Sequence, residues 1–244
     1  MTGVTYQTVN ISNGGGSANL LINPRGKINQ ANESKGVIVA GQYFCDGWKA
    51  GAAGAEVYVD SDGFRLVSGS IIQLVPNNIG EGRTLRANMD KIVGTPVISI
   101  NGGGDNVASN NDPYIKVEVS GSNTKFSRLI LADSTELPIY QQVADELTPC
   151  LSMYEVIGGH GDSRYTANTL NSFPFNYQIQ FKARKAQPYA ATAVGIQTSF
   201  SQVVFTIPTQ NSEMGCSYGA KTETTGAGPN SYLYFEKIVI DARP

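Results

Sequence analysis

The stretch AEVYVDSDGFRLV, residues 55–67, decides how the rest of the chain is read. Val57 and Val59 share one face of an alternating run, and Asp62-Gly63 supplies turn chemistry before the next apolar run begins, so the segment is expected to be a β-hairpin.

The same rhythm extends in both directions. NLLIN, GVIVAGQYF, FRLVSGSIIQLV, TLRANM, TPVISI, YIKVEVS and FSRLILA are short strand-like runs bounded by Asn-Pro, Asp-Gly, Asn-Asn-Ile-Gly or Gly-Ser-Asn. It returns late in the chain at NYQIQFKARK, TAVGIQTSF, SQVVFTIP, CSYGAK and SYLYFEKIVIDARP, the last reading as a closing strand. The expected fold is all-β, a β-sandwich or jelly roll of antiparallel strands, with no repeat at a solenoid or propeller period.

Composition agrees with that class. Of 244 residues 27 are Gly and only 16% are charged, a balance that favours sheets and turns over helices laced with ion pairs. Lys and Arg number 18 against 20 Asp and Glu, so there is no broad cationic field to hold nucleic acid. No run approaches the roughly 18 apolar residues of a membrane span, and MTGVTYQTVN lacks a signal-peptide pattern, so neither insertion nor export by a visible signal is expected. Cys45, Cys150 and Cys216 are widely spaced and odd in number, and they are expected to be reduced, mostly buried small hydrophobes.

Two segments depart from the strand pattern. Between Glu136 and Gly159, Val143, Leu147 and Leu151 recur four apart, which suits one short helix near residues 143–153, limited by Pro149. Near the start, TYQTVNI is an imperfect strand pattern, and SNGGGSAN is too glycine-rich to sit inside an element. Residues 1–18 are therefore expected to be an N-terminal peptide and Gly-rich linker, and residues 19–244 a β-sandwich body with a possible sub-boundary near 134–158.

Specific motifs then enter in order: NLLINPRGKINQ at Asn19 to Gln30, GQYFCDGW at Gly41 to Trp48, and ADELTPCLSMYEVIGG at Ala144 to Gly159, followed by Phe173-Pro174 and the closing SYLYFEKIVIDARP. Together they resemble the receptor-facing modules of bacteriophage tail fibres, with their N-L-L-I-N, Y-x-x-D-x-W and A-D-E-L-x-x-C-x-x-Y segments. The resemblance implies a jelly-roll or β-sandwich body in a virion appendage, usually homo-oligomeric, made in the bacterial host cytoplasm and contacting host-surface glycan or receptor. It also implies other virion proteins as partners, reached here through the N-terminal peptide. Family members often carry Arg in a C-Q-R-Y-Y stretch; this chain has Cys150, Leu151, Ser152, Met153 and Tyr154 there, so that Arg has no counterpart.

Catalytic signatures are sparse. The single histidine, His160, lies in IGGHGDSRY beside Asp162, where a surface loop is the preferred reading over acid–base chemistry. Asp60 and Asp62 before Gly63 fail an EF-hand register, because Tyr58 would occupy the first ligand position and Gly69 the bidentate one. The loop Asn101 to Pro113 holds Asp105 and Asp112 and leaves a carbonyl and carboxylate metal site open, although a long connection is preferred. Asp46, Asp145 and Glu146 could pair as in a glycosidase, but each reads as readily as a cap or strand-edge charge.

Sugar recognition calls for aromatic faces and neutral amides, and the chain has 12 Tyr and one Trp. Tyr165, Tyr189 and Tyr218 lie in turn-rich stretches and are candidate ligand contacts. Trp48 is a fourth, although its motif favours core packing. The expectation is a binding protein without catalytic residues, cofactor or resident metal; an architectural head-decoration or adaptor subunit and a glycan-degrading enzyme are the alternatives.

Overall fold

A computed structural model describes residues 18–158, 175–186, 188–195, 197–198, 203–206, 213–222, 233–234 and 236–244. The attachment peptide expected over residues 1–18 thus lies outside the described residues apart from its last position.

The strands of the first half are β1 (Gly36–Ile38), β2 (Tyr43–Cys45), β3 (Trp48–Asp60), β4 (Gly63–Pro76), β5 (Thr84–Val93), β6 (Val97–Ile100), β7 (Asn106–Ala108), β8 (Tyr114–Ser120) and β9 (Thr124–Asp133). A five-residue helix, α1 (Leu147–Leu151), follows. The second half contributes β10 (Tyr154–Gly158), β11 (Phe175–Gln180), β12 (Ala190–Val194), β13 (Gln197–Thr198), β14 (Val203–Thr206), β15 (Gly215–Thr222), β16 (Leu233–Tyr234) and β17 (Lys237–Asp241). Every pairing among them is antiparallel, and the fold is an all-β sandwich.

The sandwich arises from strands that bend and change partners. Phe64 to Leu66 of β4 pair with β9, whereas Ser70 to Pro76 pair with β8. On its other side β4 meets the two ends of β3, with irregular register between Ala50 and Ala55. The bends lie at Gly54 and Gly69, both at positive φ (78° and 83°), and a Cβ on Gly69 would collide with the Gly54 carbonyl oxygen. Gly94, between β5 and β6, and Gly121, between β8 and β9, continue the same line across the sheet. Only residues without a Cβ let four neighbouring strands turn a corner together. One side of that corner runs β1-β3-β4-β9-β5-β7 and the other β2-β3-β4-β8-β6.

Both sides feed one core. Phe64, Leu66, Leu85, Leu129 and Leu131 come from the first, and Ile71, Ile100, Ile115 and Val117 from the second. Alternation explains them: in β8 Ile115, Val117 and Val119 are buried, while Lys116 and Glu118 face away. Phe64 is the hub, stacked on Phe126 at 5.7 Å and met edge-on by Trp48 at 5.5 Å and Phe44 at 6.1 Å. Each fully buried side chain of this size stabilises the fold by about 1.5–3 kcal/mol.

The hairpin at residues 55–67 forms, with one shift: Asp60 pairs with Gly63, so Ser61 and Asp62 make the turn and Gly63 opens β4. NLLIN is the one early run that forms no strand. Side chains take the place of a ladder there, as Asn19 Oδ1 accepts the amides of Leu21 and Leu131, and Gln73 both accepts from the Ile22 amide and donates to its carbonyl. The helix is shorter than residues 143–153 and uses another face. Leu151 of the expected three is buried, together with Cys150, but Val143 and Leu147 are exposed: the chain before Leu147 is not helical, so Val143 has no helical register with the others, and Leu147 opens the helix at the surface.

The second half has its own small core of Ile179, Phe181, Ala191, Ile238 and Ile240, built on the sheet β10-β17-β12. It is fastened to the first half by Arg243. This guanidinium lies between the rings of Tyr43 and Tyr154, at 4.3 and 4.4 Å, and pairs with Glu33 and Asp241 at 2.7 and 2.8 Å. Beneath it Gln30 donates to the Asp46 carboxylate and to the Tyr154 carbonyl.

Candidate binding cleft

The pairing of β5 with β9 is interrupted twice. Asn88 pairs with Ile130 and Asp90 with Ser127, so Arg128 and Leu129 together oppose Met89. Without that extra residue, strand alternation from Phe126 would aim Arg128 at the core; with it, Leu129 and Leu131 go in and Arg128 goes out. Arg128 adopts φ 52°, a left-handed conformation that costs a non-glycine residue on the order of 1–2 kcal/mol. The second interruption, where Lys91 pairs with Phe126 and Val93 with Lys125, frees Ile92. All four residues from Asp90 to Val93 are exposed.

These bulges open one wall of a cleft of ≈ 270 Å³, lined by Arg25, Lys27, Asp62, Asp90, Ile92 and Arg128, with the two serines Ser61 and Ser127 beside them. Asp62 and Ser61 come from the tip of the β3–β4 hairpin. Arg25 and Lys27 come from a loop shaped by Asn23, which is buried at φ 47°. Its amide nitrogen donates to the carbonyls of Ile28 (2.8 Å) and Asp46 (3.0 Å), its side-chain oxygen accepts the Ile28 amide, and its carbonyl accepts Trp48 Nε1 at 3.0 Å. Gly26 lies so close to the Phe64 ring that a Cβ would meet it, which presses the loop flat on the core.

Ion pairs knit the cleft together. Arg128 Nη1 donates to Asp90 at 2.9 Å. Lys125 Nζ reaches Asp60 at 3.0 Å and Asp62 at 2.7 Å, and its donated hydrogen bonds hold both carboxyls below the usual Asp range. Arg25 donates to Glu146 Oε1 at 3.1 Å, and the Tyr140 hydroxyl donates to the same oxygen at 2.8 Å. Burial, then that bond, pushes the Tyr140 hydroxyl up to about 12, while Arg25 and Arg128 pull the other way. Tyr140 therefore stands within the field of both guanidinium groups.

The aromatic candidates fall elsewhere. Trp48 is fully buried and presents no face to a sugar. Tyr189 is half-buried, edge-on to Phe181 at 5.0 Å, with its hydroxyl donating to the Gly215 carbonyl at 3.1 Å, so it belongs to the second core. Tyr218 lies in β15 opposite Tyr177, with its side chain outside the described residues, as are Tyr165, His160 and Asp162 altogether.

The carboxylate candidates separate as well. Asp46 is buried and accepts the Gln30 amide at 2.8 Å and its side chain at 2.6 Å; burial raises its carboxyl, and these bonds oppose the rise. Asp145 accepts the amides of Leu147 and Thr148 at the start of α1. Glu146 alone of the three belongs to the cleft region. In the loop holding Asp105 and Asp112, Asn77 donates to the carbonyls of Asn110 and Asp112. Among the described residues no group of three or more His, Cys, Asp or Glu converges.

Arg25, Lys27, Asp90, Arg128 and Tyr140 were not singled out by sequence reading. One trace of them exists: FSRLILA breaks strict alternation at Arg128-Leu129, which is what an inserted residue does to a strand pattern.

Comparison of the chain with family models, with curated proteins and with solved structures gave no match.

Proposed function

We propose that the protein is a bacteriophage appendage component, a tail-fibre or fibre-like module, that binds a host-surface glycan in the cleft between the β3–β4 hairpin and the β5–β9 bulges. The observation that carries this reading is Arg128: a strained backbone position whose side chain is turned outward, paired with Asp90 at the wall of a concave site. A sugar ring presents hydroxyls that both donate and accept. The Arg128–Asp90 pair and the hydroxyls of Ser61 and Ser127 answer both roles, and Ile92 offers an apolar contact. The cleft is smaller than the about 300–1,000 Å³ of pockets for drug-sized ligands, which suits a single sugar unit.

Three carboxylates around the cleft already face cations, Asp62 with Lys125, Asp90 with Arg128 and Glu146 with Arg25, which supports recognition in place of proton transfer. The ordered motifs from Asn19 to Pro244 support the phage appendage part of the reading, with the virion as its location. Adsorption of labelled protein to bacterial cells, compared with Arg128→Gly, tests it. Saturable adsorption lost in the variant is expected; equal adsorption by both proteins would place the receptor contact elsewhere.

A second reading, an architectural subunit that contacts only virion proteins or further copies of itself, draws on β1. This strand ends its sheet, and Val37 within it and Val39 just after it are 84% and 70% exposed. Solution mass at micromolar concentration tests self-association through this edge: Val37→Lys is expected to shift an oligomer towards monomer.

A further inference from the structure

Charge around the cleft is not balanced. The lining side chains and the ion pairs that run on from them through Lys125 comprise the cations Arg25, Lys27, Arg65, Lys125 and Arg128 against Asp60, Asp62, Asp90 and Glu146. Arg25, Arg65, Lys125 and Arg128 each sit on a carboxylate. Among the described residues Lys27 has no such partner: its ammonium donates to two neutral acceptors, the carbonyls of Asp60 at 2.9 Å and Ser61 at 2.6 Å. An ammonium has three donors, so two bonds to carbonyls leave one for a ligand.

We propose that the cleft takes an acidic sugar, one bearing a single carboxylate, and that Lys27 is the residue that reads this charge. The inference rests on the glycan reading above and narrows it to a substrate class. A neutral sugar lying over the cleft would strip water from the Lys27 ammonium and return only hydroxyl contacts. A carboxylate returns a charge-assisted hydrogen bond at the same place and requires no existing ion pair to open. The carbonyls of Asp60 and Ser61 fix the ammonium in advance, so little side-chain entropy is lost on binding. The hairpin tip is in turn fixed by Lys125 on both of its carboxylates.

The experiment uses the whole chain and a uronic-acid-containing bacterial envelope polysaccharide, before and after chemical reduction of its carboxyls to hydroxyls. At about 0.05 M salt the native polysaccharide is expected to bind wild-type protein on the order of fivefold more tightly than the reduced form, the scale of one exposed ion pair, with the gap closing by about 0.5 M. Lys27→Gln, checked for a wild-type circular dichroism spectrum, is expected to bind the two forms equally. Equal binding of both forms by wild-type protein, a gap insensitive to salt, or a gap retained in Lys27→Gln overturns the assignment. If only neutral polysaccharides bind and Arg128→Gly abolishes that binding, the glycan reading stands and the charge assignment falls. If no polysaccharide binds under any condition, the glycan reading itself falls.

Discussion

Arg128 donates to the Asp90 carboxylate at 2.9 Å from a backbone held at φ 52°, on a bulge that exchanges its place in the core for Leu129. Strain, bulge and ion pair coincide at one residue, and this coincidence marks the cleft.

Replacing Arg128 with Gly relieves a left-handed penalty of about 1–2 kcal/mol and forfeits an exposed ion pair worth no more than about 1 kcal/mol. Glycine also adds unfolded-chain entropy of roughly 0.5–1 kcal/mol. The terms nearly cancel, so the unfolding free energy from urea titration is expected to stay within about 1 kcal/mol of wild type while adsorption is lost. A variant that unfolds would show that Arg128 serves the fold and not a ligand.

Gly69→Ala is expected to destabilise by about 3 kcal/mol or more, because the added methyl meets the Gly54 carbonyl and φ lies at 83°. Gly80→Ala, in open space and without a positive φ, is the matched control and is expected to be near neutral. Thermal melts of the two side by side check the glycine corner; similar melts would remove it as the basis of the sandwich.

Lys185 and Glu155 form an ion pair at 2.6 Å with no exposed side-chain surface, beside the Phe181 ring. Breaking it on one side, as Lys185→Met or Glu155→Leu, strands a buried charge and is expected to cost about 3–5 kcal/mol. The double variant is expected to recover most of that loss. Urea denaturation of all three gives the coupling, and simple additivity would contradict a paired role.

Lys125 links acid stability to the hairpin tip. Asp60 and Asp62 titrate below their unfolded value, so their contribution is present above the usual Asp value of about 4 and is lost as pH falls through the depressed range. Asp46, raised by burial, has the opposite sign: its contribution is present in acid and lost as pH rises. The urea midpoints of wild type and Lys125→Met are therefore expected to differ most near neutral pH and to converge below pH about 4. A difference constant with pH would show that Lys125 acts through packing alone.

Strand content was legible because period-two patterning survives wherever one face is buried, as in Ile115, Val117 and Val119. NLLIN misled because its apolar pattern matches a strand while Asn19 and Gln73 satisfy its backbone from the side. Tyr189 drew attention as an aromatic in turn-rich sequence, yet it packs against Phe181; Trp48, whose motif favoured core packing, is packed against Phe64. The cleft was hidden for a different reason. Its residues come from positions 25, 27, 62, 90 and 128: register between β5 and β9 brings Asp90 to Arg128, and the Asn23 loop and the β3–β4 hairpin tip add the rest, none of which spacing along the chain shows.

Titrating isotopically labelled protein with envelope oligosaccharide, and following each backbone amide by NMR, tests the central claim most directly. Shifts concentrated at residues 25–27, 61–62, 90–92 and 127–128 are the expected result. Shifts centred on Tyr189 and Gly215, or none at saturating sugar, would contradict it.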